Sequence, residues 1–345
     1  MKTIKTKFIG LCFLLALTSW SCSEDESMDP SVKEVSPTQG ASNELLTITG
    51  TDLSNIQTIH FEKGNVKADF NPNFNTDKAI LFRVPAEAIP GNQNIILTNM
   101  DGSQTTVPFN VLGFANITSV SNYNFSAGEN LVLTGKNLDD VTSVVFAGTT
   151  TELEVVAKTA TTLTVKFPAT TLTESALDIT NAAGVSHPSQ VFVSRDNAFK
   201  IFTDDYAPGY QDASWGSGGV ISSTEFKSGT ASVYKDYAAG NWHQLGFGWT
   251  NTSNDNYKYL SFWIKGASAT YDLYITTSAS KSGFASFDAN TRVTIPANEW
   301  TYFKVPVSTL DLWSTAAQWN QIGWRIQGPD GKDERFYLDD VMLVK

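Results

Sequence analysis

Aromatic side chains are distributed very unevenly along this sequence. Eight of its nine tryptophans (Trp215, Trp242, Trp249, Trp263, Trp300, Trp313, Trp319 and Trp324) and ten of its eleven tyrosines lie between Asp196 and Lys345. Large amphipathic rings suit a partner with apolar faces and polar edges, a description that fits sugar rings and protein hot spots alike. A sugar stacks its C–H face on an aromatic plane and offers its hydroxyls to planar polar groups, which Arg, Asn, Gln and Asp supply. The recognition chemistry of this chain is therefore predicted to sit in its last third.

Catalytic chemistry is harder to place. A glycosidic cleft needs two carboxylates facing each other about 5–10 Å apart. Asp272, Asp288, Asp311 and Glu299 are scattered over strands and loops with no evident pairing. There is no Gly-x-Ser-x-Gly elbow, and His243 has no nucleophile partner. Lys281 with Tyr274 makes a thin case for a lyase. The sequence thus reads as a binder and not an enzyme. The formal charge of -11 argues against nucleic acid, which needs a basic face. Both cysteines, Cys12 and Cys22, lie at the N-terminus, so no disulfide staples the folded domains. Three histidines (His60, His187 and His243) without a cysteine pair make a zinc or redox site a poor reading.

The elements that hold the aromatic third are predicted to be strands. Leu260, Phe262 and Ile264 alternate inward from Tyr259, Ser261, Trp263 and Lys265, and Tyr271, Leu273 and Ile275 repeat the pattern. His243, Leu245, Phe247 and Trp249 share a face, which places Trp249 in the core, and Trp300 and Trp324 also read as structural. Ile322, Trp324 and Ile326 point inward, leaving Arg325 and Gln327 beside Tyr274 on an outer sheet face. About eight strands separated by turns such as Pro329-Asp330-Gly331 make a β-sandwich. The loops 206–225, 278–290 and 307–321 are expected to meet at one end and bring Trp215, Phe284, Phe287, Trp313 and Trp319 together. A loop tryptophan also serves to plug the end of a sandwich. Trp242 precedes a strand beside His243 and is read as a contact. The predicted binding set is Trp215, Trp242, Tyr274, Trp313, Trp319, Arg325 and Gln327.

The first two thirds contain an internal repeat. Val32–Phe61 recurs as Ile117–Phe146 at a constant spacing of 85, pairing Val35 with Val120, Gly50 with Gly135 and Leu53 with Leu138. Leu46-Thr47-Ile48-Thr49 and Leu131-Val132-Leu133-Thr134 read as half-buried strands, each closed by a glycine expected to ease a turn. The motif Gly-x-(Asp/Asn)-Leu after such a strand resembles the IPT/TIG family of immunoglobulin-like domains. Spacing is the better reading of the two copies, which carry no tryptophan, one tyrosine (Tyr123) and no charge cluster.

Lys2, Lys5 and Lys7, an apolar run from Phe8 to Leu17, and Cys22 followed by Ser23-Glu24-Asp25-Glu26 resemble a bacterial lipoprotein signal with a surface-export stretch. Ser19 and Trp20 depart from the usual lipobox, and an ordinary secreted protein is the alternative. The apolar run is too short to span a bilayer, so any membrane attachment would be through acyl chains on Cys22.

Ser228-Gly229-Thr230-Ala231-Ser232, Leu260–Gly266 and Phe336-Tyr337-Leu338-Asp339-Asp340-Val341 resemble jelly-roll carbohydrate-binding modules. With the leader and the repeats, the whole is similar to Bacteroidetes surface glycan-binding proteins of polysaccharide-utilisation systems. That resemblance implies an all-β chain: signal 1–22, acidic tether 23–30, IPT/TIG-like domains 31–113 and 114–195, and a jelly roll 196–345. It implies a polysaccharide or oligosaccharide ligand, an outer-membrane glycan transporter as partner and no required cofactor; Asp204, Asp205 and Asp340 are candidates for the structural calcium that such folds often hold, the other reading being solvated turn carboxylates. A single candidate arginine favours a neutral β-glucan over an acidic polymer. An adhesin gripping a protein would use the same aromatics.

Overall fold

A computed structural model describes residues 29–285, 288–327 and 332–345. The leader, Cys22 and most of the acidic tether lie outside these residues, as does Phe287. Among the described residues, no helix is long and apolar enough to cross a membrane.

The first copy of the repeat is a two-sheet sandwich. A three-stranded sheet (Ser31–Ser36, Leu45–Thr51, Ala79–Arg83) faces a five-stranded one ordered Gln39–Ala41, Gln104–Leu112, Gly91–Asn99, Ile56–Phe61, Val66–Ala68. Alternation sends Leu46, Ile48, Ile59 and Phe61 into its core, and the residues 85 further on, Leu131, Leu133, Val144 and Phe146, are likewise buried in the second copy.

The repeat's glycines have a different role from the one expected. Gly50 and Gly135 lie within strands, where a Cβ would come 1.9 Å from the Ser31 carbonyl oxygen and 1.8 Å from that of Asn116. In each copy the register with the neighbouring strand slips at this point, and the bulge drives one backbone onto the other. The turn itself falls to the motif's polar residue, since Asp52 and Asn137 take φ of 58° and 57°. A Gly135→Ala substitution is expected to destabilise the C-terminal unit by about 2–3 kcal/mol, because backbone must move to admit the methyl. A calorimetric transition shifted by less than a degree would refute this.

The C-terminal domain comprises β1 (Phe199–Phe202), β2 (Gln211–Asp212), β3 (Val220–Ser222), β4 (Ser232–Tyr237), β5 (Trp242–Ser253), β6 (Tyr259–Lys265), β7 (Tyr271–Thr277), β8 (Arg292–Ile295), β9 (Trp300–Pro306), β10 (Gln318–Gln327) and β11 (Glu334–Val344). One sheet runs β3-β4-β11-β6-β9, with β1 also on β11; the other runs β2-β5-β10-β7-β8. Leu260, Phe262 and Ile264 of the first sheet meet Leu245, Phe247, Ile275 and Trp324 of the second in one core.

The second repeat copy and this domain form one compact unit, residues 112–345. The turn Asn122-Tyr123-Asn124 joins them. Trp263 Nε1 donates to Asn122 Oδ1 at 2.9 Å, the Tyr123 ring stacks on Tyr302 at 4.7 Å, and Asn124 Nδ2 donates to Asp340 at 3.0 Å. Tyr123, the one tyrosine outside the aromatic third, is thus an interface residue. Trp263, whose side chain faces away from its own core, is buried against this turn.

Candidate functional site

The outer face of the β2-β5-β10-β7-β8 sheet is built by register. Trp215 exchanges backbone hydrogen bonds with Gln244 (2.9 and 3.2 Å), Gln244 pairs with Arg325, Arg325 with Tyr274, and Tyr274 with Arg292. Five large polar or aromatic residues therefore stand in one row across the strands. One step along, Gly246 pairs with Gly323, and Gly323 with Thr276, so the next row is small. The Gln244 side chain lies over this low row, and a cleft opens beside it. It measures about 360 Å³ and is lined by Trp215, Gln244, Phe284, Ala285, Gln321 and Arg325. Alternation requires this arrangement, because Leu245, Phe247, Leu273, Ile275, Ile322 and Trp324 fill the core on the other side.

Trp215 is 70% exposed, the largest exposed ring surface on this face, and Trp242 is 37% exposed. The Arg325 guanidinium lies 4.6 Å above the Trp242 ring, a cation–π contact that orients both groups. Partial burial draws the Arg325 pKa below its ordinary value, and it stays cationic at neutral pH. Gln321 is held by its amide, which donates to the Ala213 carbonyl at 2.5 Å.

The loop carrying Trp215 is clamped from beneath. Gly216 takes φ of 89°, and any Cβ there would come 2.6 Å from the His243 ring. The Lys235 ammonium, fully buried, donates to the Ser217 carbonyl and to Ser217 Oγ. Burial pushes Lys235 down to about 8, against the opposing pull of Asp212 and Asp236. These contacts fix the backbone immediately after Trp215. Sequence reasoning missed Lys235, although the signal was present: it shares strand parity with the buried Val233 and Tyr237.

Several expectations need correction. Trp319 is 1% exposed and belongs to the core, because β10 starts at Gln318, inside the stretch expected to be a loop, and pairs Trp319 with Thr252. Trp313 leans on Trp319 at 6.1 Å and donates its indole N–H to the Thr252 carbonyl. It lines a separate polar hollow of about 410 Å³ with Lys281, Asp288 and Asp311. The three loops therefore do not gather their tryptophans into one platform; among the described residues of these loops, Trp215 and Phe284 are the aromatics that meet at the cleft. Trp249, expected inside, is 55% exposed, because the register of β5 slips between Gly248 and Thr252 and breaks the alternation. Tyr274 and Arg325 stand adjacent in the row. Gln327 ends β10 opposite Trp242, and its side chain lies outside what is described.

The calcium set is not assembled. Asp204 accepts hydrogen bonds from the Thr230 and Ala231 backbone, and Asp205 accepts from Tyr206 N. Asp340 is fully buried against Asn124, Ser228 Oγ and, at 3.6 Å, Arg195. Among the described residues no group of three or more His, Cys, Asp or Glu is disposed to hold a metal ion.

Fold and site define an all-β protein: two immunoglobulin-like sandwiches followed by a jelly roll with an open aromatic and amide cleft across one sheet. Residues 30–111 and 115–203 match the IPT/TIG domain model, and the chain carries two IPT/TIG domains in tandem. The second match runs into β1, a strand that pairs with β11 of the jelly roll. No curated protein matches the chain. Among solved structures, it is similar to SGBP-B from a complex xyloglucan utilization locus of Bacteroides uniformis, at 18% identity over 92% of this chain and 99% of the other, with a TM-score of 0.45. It is also similar to the surface glycan-binding protein PbSGBP-B of Prevotella bryantii, at 17% identity over 91% and 98%, TM-score 0.46. The mixed-linkage glucan SGBP-B of Bacteroides ovatus, solved with a heptasaccharide, is 13% identical over 93% and 77%, TM-score 0.31.

Proposed function

We propose that the jelly roll binds a polysaccharide or oligosaccharide without transforming it, and that the two IPT/TIG domains hold it away from a cell surface. The observation that carries this reading is the row Trp215–Gln244–Arg325–Tyr274 beside its low neighbour. It combines a clamped, exposed indole with amide and guanidinium groups, the pairing that a sugar's apolar face and hydroxyl edge require. We assign the ligand to the neutral glycans, with a β-glucan as the first to test, since the one guanidinium lining the cleft stacks on Trp242 and is a meagre complement to an acidic polymer. Lipidation at Cys22 would place the protein on the outer membrane, beside a glycan transporter of a polysaccharide-utilisation system.

Native affinity gels of residues 23–345 against a panel of neutral and acidic polysaccharides test the assignment. Retardation by a neutral β-glucan is the expected result. Retardation by acidic polymers alone would overturn the ligand class, and depolymerisation in the same samples would overturn the non-catalytic reading. No retardation by any glycan would sink it altogether and move the cleft to a protein partner.

A further inference from the structure

Gln244 is 3% exposed, yet it sits on the outer, ligand-facing side of β5. Its side chain lies down in the low row. A Cβ added at Gly323 would come 2.2 Å from Gln244 Cδ, 2.3 Å from Nε2 and 2.4 Å from Cγ, and one added at Gly246 would come 3.0 Å from Nε2. The facing pair Gly246 and Gly323 thus forms a side-chain-free seat, and a long carboxamide fills it. Beside it, Gln321 donates to the Ala213 carbonyl and the Arg325 guanidinium stacks on the Trp242 ring.

We infer that Gln244 is the residue that selects among neutral glycans by the configuration of their hydroxyls, and that the Gly246–Gly323 seat fixes its carboxamide for that purpose. The inference rests on the glycan-binding assignment and adds the residue that gives it specificity. A carboxamide presents a donor and an acceptor side by side, which matches two neighbouring hydroxyls of one configuration. A site that hydrogen-bonds a hydroxyl pattern rejects the epimer more strongly than an apolar pocket rejects a lost methylene, because the buried polar group is left unpaired.

Gly323 supplies the test. Its φ is not in the left-handed region, and the three atoms nearest an added methyl all belong to the Gln244 side chain. Gly323→Ala should therefore fold, with the carboxamide lifted out of its seat. Gly246→Ala is less clean, since its methyl would also strike the Ala213 carbonyl at 2.6 Å. The experiment is a double-mutant cycle of Gln244→Ala and Gly323→Ala in the full chain. Its readouts are gel retardation by neutral polysaccharides of differing sugar configuration, and the melting temperature.

Each single variant is expected to lose roughly ten-fold in affinity for the preferred glycan and to flatten the ratio between preferred and disfavoured glycans. Once Gln244 is Ala, adding Gly323→Ala should cost nothing further. Additive losses, or unchanged ratios with wild-type retardation intact, would overturn the inference while leaving the glycan assignment standing. If wild type is retarded by no glycan, the assignment falls and the inference with it.

Discussion

Trp215→Ala is expected to weaken retardation by the preferred glycan at least thirty-fold, equivalent to about 2 kcal/mol or more, with the melting temperature unchanged. The indole is 70% exposed and makes no core contact, so stability does not depend on it. Its backbone bridge to Gln244 is made by main-chain atoms and survives the substitution. Trp319→Ala, at a residue equally prominent in the sequence, should do the reverse. Its ring is buried among Tyr210, Trp313 and the sandwich core, and truncation should cost about 3–5 kcal/mol through the cavity left behind. Isothermal titration and differential scanning calorimetry on the two variants separate these signatures. Loss of binding in Trp319→Ala at full stability, or a large drop in melting temperature for Trp215→Ala, would show that the cleft has been placed on the wrong residues.

The second large effect concerns the join between the second IPT/TIG domain and the jelly roll. Arg195 contacts Glu129 on one side and the buried Asp340 on the other. Removing the guanidinium in Arg195→Met leaves a carboxylate in a dry interface without its counter-charge, a loss of about 3–5 kcal/mol. Beside it, burial and the neighbouring Asp340 push the Asp339 carboxyl up to about 8, in spite of hydrogen bonds from Lys227 N and Ser228 N.

The folded state therefore holds a proton on this carboxyl that the unfolded chain releases near pH 4. Asp339 contributes stability at acid pH that is lost as pH rises from about 4 through 8. His243, which burial holds below its ordinary pKa, works in the opposite direction, so the measurement must be a difference. Urea melts of wild type and Asp339→Asn between pH 5 and 8 should show wild type losing ground to the variant as pH rises. A pH-independent difference would remove the titration from the account. The same join packs the second IPT/TIG domain onto the jelly roll through Tyr123, Trp263 and Asp340.

The sequence by itself determined the elements and their faces. Side-chain direction in a strand has a period of two, so the alternation in Leu46-Thr47-Ile48 or Leu260-Ser261-Phe262 states which residues are buried without reference to anything distant. A spacing of 85 likewise marks the two IPT/TIG domains, although the carbonyl that each repeat glycine sits under emerged only from the strand register. The outer face bearing Tyr274 and Arg325 was legible for the same reason.

The fate of each tryptophan was decided by tertiary structure. Alternation predicts the inside only while register holds, and the slip in β5 between Gly248 and Thr252 turned Trp249 out to solvent while pairing Trp319 into the core. The cleft itself is a product of pairing: Gln244 of β5 meets Gln321 and Arg325 of β10 through an alignment that no local pattern contains. Buried Lys235 and the Asp339–Asp340 pair belong to the same category. Their charge argues for solvent, and only the partners that the fold brings to Ser217 and Arg195 make their burial tolerable.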